Sequence, residues 1–162
     1  MKHNCPAGRR GFTLIELLVV IGILAVLLAI TLIAINPARQ FSQANDTKRA
    51  SDVNAILNAI DQYAADNKGA LPAGIPETTA GVIGSDTTLV PPQVDLCAAL
   101  VTKYLAALPV DPLTSNGTPV SNCAQVGGYN TNYTVVKSAT DNRITVTAPA
   151  TEIAAQDISV TR

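Results

Sequence analysis

The sequence is short of rings and of charge. It has no tryptophan, two phenylalanines and four tyrosines, an aromatic share of 4% that predicts a light core. Its single histidine, His3, stands ahead of a long apolar run, so everything beyond lacks imidazole, which excludes histidine-based catalysis and His-ligated metal there. No paired carboxylates in a recognisable motif, no glycine-rich phosphate loop and no nucleophile beside a base occur, so neither an enzyme nor a cofactor is expected. Lys2, Arg9 and Arg10 account for three of the 11 basic residues, and the remaining 8 face 12 acidic ones, a balance of about -4 with no nucleic-acid footprint. No internal repeat is visible, and 162 residues allow one modest domain with an appendage.

What is present is unevenly spread. The apolar share of 48% is ordinary, yet much of the leucine and isoleucine lies between Leu14 and Ile35. Leu17 to Ile35 carries no charge and as a helix spans about 28 Å, close to the ~30 Å hydrocarbon core of a bilayer. Lys2, Arg9 and Arg10 precede it and the next basic residue is Arg39, which by the positive-inside rule keeps the N-terminus in the cytoplasm and exports the remainder. A secretory signal peptide is the first competing reading, but its apolar region is shorter and ends at a small-residue cleavage site. A plain single-span anchor is the second, and it leaves Glu16 unexplained. A carboxylate near the start of a span is costly and normally has a partner or a function. Phe12, four residues earlier, would carry a free ammonium if the chain were cut after Gly11, and that group on a neighbouring copy could supply the missing charge.

Gly11-Phe12-Thr13-Leu14-Ile15-Glu16-Leu17-Leu18-Val19-Val20-Ile21, preceded by Arg9-Arg10, resembles the class III leader and N-terminal signature of type IV pilins and type II secretion pseudopilins. The resemblance covers about residues 9 to 35. It implies cleavage between Gly11 and Phe12 by a prepilin peptidase, N-methylation of Phe12, and assembly through Phe12 and Glu16. It also implies a pilin-like α+β fold in which a long N-terminal helix, membrane-spanning in its first half and amphipathic in its second, packs on a small antiparallel sheet. One departure stands out: the proline that usually kinks the family's helix lies about a turn earlier, where this chain has Ile33, and the proline here is Pro37.

The division expected is a leader over 1–11, a transmembrane and polymerisation helix over 12–36, an amphipathic helix over 37–69, and an α+β head over 70–162 with a three-stranded antiparallel sheet. Pro37 either bends the helix or starts a new one with Asn36 as cap. Val53, Ile56, Leu57, Ile60, Tyr63 and Ala64 recur at helical spacing, with Lys48, Arg49, Asp52, Asn54, Asn58 and Asp61 on other faces. Asn67-Lys68-Gly69 supplies the stop and Pro72 prevents resumption. Ala70 to Gln93, rich in Pro, Gly and Thr, reads as a loop. Leu96 to Leu105 reads as a short helix capped by Asp95, and Pro119 to Gly128 as a loop. Alternation then predicts strands around Tyr129–Val135, Ile144–Ala148 and Ile158–Val160, with a turn at Ser138 to Asn142.

With Cys5 in the leader, Cys97 and Cys123 remain as a candidate disulfide worth about 3 kcal/mol, against the alternative of two buried free thiols. Asp111, Ser115 and Asn116 offer oxygen ligands that could suit calcium, but with one local carboxylate an ordinary turn is the simpler reading and no metal is expected. Asn45-Asp46-Thr47, Asn116-Gly117-Thr118 and Asn132-Tyr133-Thr134 fit the N-glycosylation triplet without further support. Lys48 and Arg49 with Asp46 and Asp52 read as a solvated helix face or as intersubunit pairs.

The leading functional expectation is a pilus subunit for adhesion, motility or DNA uptake, and the nearest rival is a pseudopilin of a type II secretion or competence system. A membrane-anchored binding module that never polymerises is the third. The partners expected are the prepilin peptidase, copies of itself and other pilins, the inner-membrane assembly machinery, and the membrane before assembly. The location expected is a single pass through the cytoplasmic membrane, head outside, and then an extracytoplasmic or surface filament.

Overall fold

A computed structural model describes residues 11–85 and 93–162. The leader residues Lys2, His3, Cys5, Arg9 and Arg10, and the Pro91-Pro92 pair, lie outside the described residues. The chain divides into two compact units, residues 1–40 and 41–162.

In the first unit, helix α1 runs Leu14–Ile35 and buries no residue. It ends at Asn36, whose backbone is left-handed (φ 46°, ψ 78°), a conformation asparagine tolerates better than most residues with a side chain. Helix α2, Pro37–Asp66, begins at the next residue, and the Asn36 Oδ1 accepts from the Arg39 N–H at 3.4 Å. Of the two outcomes open for Pro37, the chain takes the second: a new helix starts with proline in its first position, where the missing N–H costs nothing.

In the second unit, α2 buries Arg49, Val53, Ile56, Leu57, Ala59 and Ile60. The helix stops where expected: Lys68 (φ 58°) and Gly69 (φ 89°) are left-handed, and the Gly69 N–H returns to the Ala64 carbonyl at 2.7 Å. Among the described residues the sheet has five strands in the order β2-β1-β3-β4-β5: β1 is Gly81–Gly84, β2 Gln93–Val94, β3 Asn130–Lys137, β4 Ile144–Ala148 and β5 Ile158–Thr161. The last three are the expected antiparallel strands, with Thr131, Tyr133 and Val135, then Ile144, Val146 and Ala148, buried by alternation.

The first two strands correct the reading of 70–93 as loop. β1 pairs antiparallel with β3 and parallel with β2, making the sheet mixed. Only Val82 and Ile83 are apolar in β1, too short a stretch to show a period, and the partner β3 lies about 50 residues further on. Gly84 is required: a Cβ there would stand 2.7 Å from the Tyr129 carbonyl oxygen.

The second helix is shorter than expected. α3 covers only Cys97–Leu100, because Val101 turns extended and Thr102 takes φ 75°. Leu100 and Val101 reach the core all the same, beside Leu96, Leu108, Ile56, Ile60 and Tyr133. Leu96, not Asp95, holds the cap position of α3, with the Asp95 carboxylate one residue earlier accepting the Cys97 N–H at 3.0 Å.

Candidate assembly site and a buried arginine hub

The residues expected to carry processing and assembly lie at the start of α1. Gly11 has open space around it, Phe12 is 80% exposed and Glu16 is exposed. Thr13 caps the helix: its Oγ1 accepts from the Glu16 N–H at 3.2 Å, and a Glu16 carboxylate oxygen faces the Thr13 N–H at 3.5 Å. This is a capping box, legible in the Thr13-x-x-Glu16 spacing, and the sequence reading passed over it. It gives the Glu16 carboxylate a long, weak contact and a place at the positive end of the helix dipole. No cation contacts it among the described residues. The helix itself, 22 residues with nothing buried, is long and apolar enough to cross a membrane.

The second unit contains a charge cluster that the sequence did not reveal. Arg49, read above as part of a solvated face, is fully buried. Its Nε and Nη2 form a fork on Asp111, donating to Oδ2 at 2.6 Å and Oδ1 at 3.2 Å. Its Nη1 donates to Asp46 at 2.8 Å and to Glu152 at 2.9 Å. Asp46 in turn accepts the N–H groups of Glu152, Ile153 and Ala154 at 3.0, 2.8 and 3.2 Å. Three segments are thus tied together: α2, the turn after Asp111, and the β4–β5 connection. Burial works to raise the Asp46 pKa, but those three backbone donors and Arg49 outweigh it and hold the carboxyl down at about 2. The correction has a signal in the sequence, since Arg49 continues the Val53–Ile56–Ile60 stripe one turn earlier. Glu152 had none, because its distance along the chain hides the pairing.

The calcium arrangement around Asp111 is not formed. Both Asp111 oxygens accept from Arg49, one also from the Leu113 N–H at 2.9 Å, and Ser115 and Asn116 lie in a 3-10 turn, Ser115–Gly117. Nearby, the Tyr133 hydroxyl donates to Asp52 at 2.8 Å. Burial pushes the Asp52 carboxyl up, and burial together with Asp52 pushes the Tyr133 hydroxyl up, so that hydroxyl keeps its proton and donates. Cys97, buried in α3, is bonded to Cys123, their Cα atoms 5.4 Å apart.

Two comparisons with known proteins bear on this geometry. Residues 6–32 match a family model described as the prokaryotic N-terminal methylation motif. The chain is also 33% identical over 123 residues to the type II secretion system core protein G of Escherichia coli (strain K12), covering 75% of this chain and 77% of that one. The chain belongs to the type IV pilin and type II secretion pseudopilin family. It is a pilin-like filament subunit, with an apolar helix that anchors it in the membrane. No solved structure matches it.

For this pilin-like subunit the methylation motif spans Gly11, Phe12, Thr13 and Glu16 and ends inside α1. Phe12 and Glu16 are brought to one helix end, and among the described residues no charged partner contacts them, while Cys97 and Cys123 are brought into a bond.

Proposed function

We propose that this subunit builds a secretion-type pseudopilus. The observation that carries this is the length of the match to the core protein G: 123 aligned residues, against helices of 22 and 30, so the likeness extends well into the head and beyond the N-terminal signature. In this reading a prepilin peptidase removes residues 1–11, Phe12 becomes the methylated N-terminus, 12–36 is the polymerisation helix, 37–69 the amphipathic helix, and 70–162 the head. The N-terminus stays cytoplasmic and the head is exported, as the flanking charges favour. The Phe12 ammonium of one copy meets the Glu16 carboxylate of the next, which supports a fixed axial offset because other offsets leave a charge bare among apolar helices. Other pilins and the inner-membrane assembly machinery complete the partner set.

The test is deletion of this chain from its host, with the exported protein fraction and sheared surface material examined together. Loss of exported proteins with no change in long surface filaments is expected. Loss of long filaments with secretion intact would replace the pseudopilus by a type IV pilus.

A further inference from the structure

We infer that the head carries a binding site for a neutral saccharide, between the segment Ser115–Asn122 and the segment Gln125–Asn130. A cavity of about 450 Å³ opens there, and among the described residues those lining it are uncharged. Among those described residues no lysine or arginine is present to pair with phosphate or sulfate and no carboxylate to pair with an amine, so the lining favours an uncharged ligand. What it offers is amides and hydroxyls: Asn122, Gln125 and Asn130, with Ser115, Thr118 and Ser121.

The three amides are oriented before any ligand arrives. Asn122 Oδ1 accepts the Ala124 N–H at 3.0 Å, Asn130 Oδ1 accepts the Asn132 N–H at 2.8 Å, and Gln125 Nε2 donates to the Gly128 carbonyl at 2.7 Å. Because the backbone groups fix which end of each amide is oxygen and which nitrogen, the remaining ends are two NH₂ donors and one carbonyl acceptor. Each of these three lining amides therefore keeps one free end whose identity is fixed. A sugar hydroxyl both donates and accepts, so a chain of ring hydroxyls satisfies this mixed set. An extended peptide needs a strand edge or side-chain pockets instead.

The walls are also stiffer than a surface loop usually is. The Cys97–Cys123 bond holds one wall, and Leu108 and Val120 exchange two backbone hydrogen bonds at 2.9 Å beneath the other. Ser115 is held left-handed at φ 47°, a conformation serine seldom takes unless its surroundings impose it. Fixed polar groups around a preformed hollow lose little entropy on binding, which is what a weak hydrogen-bonding ligand requires.

The experiment uses the full chain in a zwitterionic, sugar-free detergent, with saturation-transfer NMR against cellobiose, maltose and chitobiose, and with inorganic phosphate and a capped glycine dipeptide as controls. At least one disaccharide should bind and the controls should not. The variant Thr118→Val/Ser121→Phe leaves every amide contact that holds the loops in place and fills the cavity with apolar side chains. It should retain the disulfide and the melting temperature, and weaken sugar binding by about tenfold or more. Absence of binding by all three sugars, binding that the double variant leaves unchanged, or binding of phosphate or dipeptide alone would each overturn the assignment.

Discussion

Glu16 and Arg49 are both polar side chains on helices, and their surroundings are opposite. Glu16 sits exposed at the head of a helix that buries nothing, with one long backbone contact for its carboxylate. Arg49 is fully buried and surrounded by Asp46, Asp111 and Glu152. The head satisfies its charge and its apolar surface within one chain. The N-terminal helix satisfies neither, so its stability and its specificity have to come from lipid or from other copies. The same contrast separates two kinds of mutation: those that damage assembly and leave the fold alone, and those that do the reverse.

The largest effect is expected at Glu16. Under the assembly proposed above, Glu16→Ala removes the only carboxylate in α1 and should abolish or derange filaments while membrane insertion and cleavage continue. Quantifying assembled filaments against processed membrane-bound chain checks this, and regular filaments in normal number would refute the ion pair. The matching test in the head is Arg49→Met. It strands Asp111, whose side chain is only 1% exposed, as an unpaired buried charge, and should cost about 3–5 kcal/mol. In detergent the head's melting temperature should fall sharply for Arg49→Met and stay unchanged for Leu24→Ala in α1. A head that is indifferent to Arg49→Met would remove the hub from the stability of the fold.

That contrast also explains what could be read in advance. The apolar run, its flanking charges and the Gly11–Glu16 string are local, so the sequence displayed them directly. The strands β3, β4 and β5 were legible because alternation persists over several residues, as in Thr131, Tyr133 and Val135. β1 was not, because Val82-Ile83 between glycines has no period and gains its identity from pairing with β3. Likewise Arg49 looked like a surface residue by type, and only its place on the Val53–Ile56–Ile60 stripe pointed inward. Its partners Asp111 and Glu152 lie 62 and 103 residues away along the chain, a relation no local pattern encodes.

The next two effects are confined to the head. Replacing Cys97 and Cys123 by serine should destabilise it by about 3 kcal/mol, through a freer unfolded chain and a hydroxyl buried at Cys97. Denaturant unfolding of the oxidised chain against the variant measures this, and coincident midpoints would deny the bond a stabilising role. Gly84→Ala should cost about 1–3 kcal/mol, because the new methyl group meets the Tyr129 carbonyl at 2.7 Å and must push β1 away from β3. Hydrogen exchange should then quicken in β1 and β3 but not in β5. Uniform quickening would mean that the strain is not local.

The smallest effect is conditional on pH and isolates the charge on Asp46 from its shape. The folded carboxyl is held at about 2, below its usual value near 4, because three backbone N–H groups and Arg49 overcome the cost of burial. A carboxyl depressed on folding adds stability above its unfolded pKa and loses it as the pH falls through the folded value. The Asp46 contribution should therefore be complete above about pH 4 and fade between about 4 and 2. Glu152, lowered by Asn45 and Arg49, acts in the same direction. In Asp46→Asn one acceptor becomes a donor facing the same N–H groups, which is also what protonation does to the native side chain. The variant should thus melt below the native chain at pH 6, and the gap should narrow below pH 4 and nearly close toward pH 2. A gap that stays constant across that range would show that Asp46 holds the β4–β5 connection by shape alone.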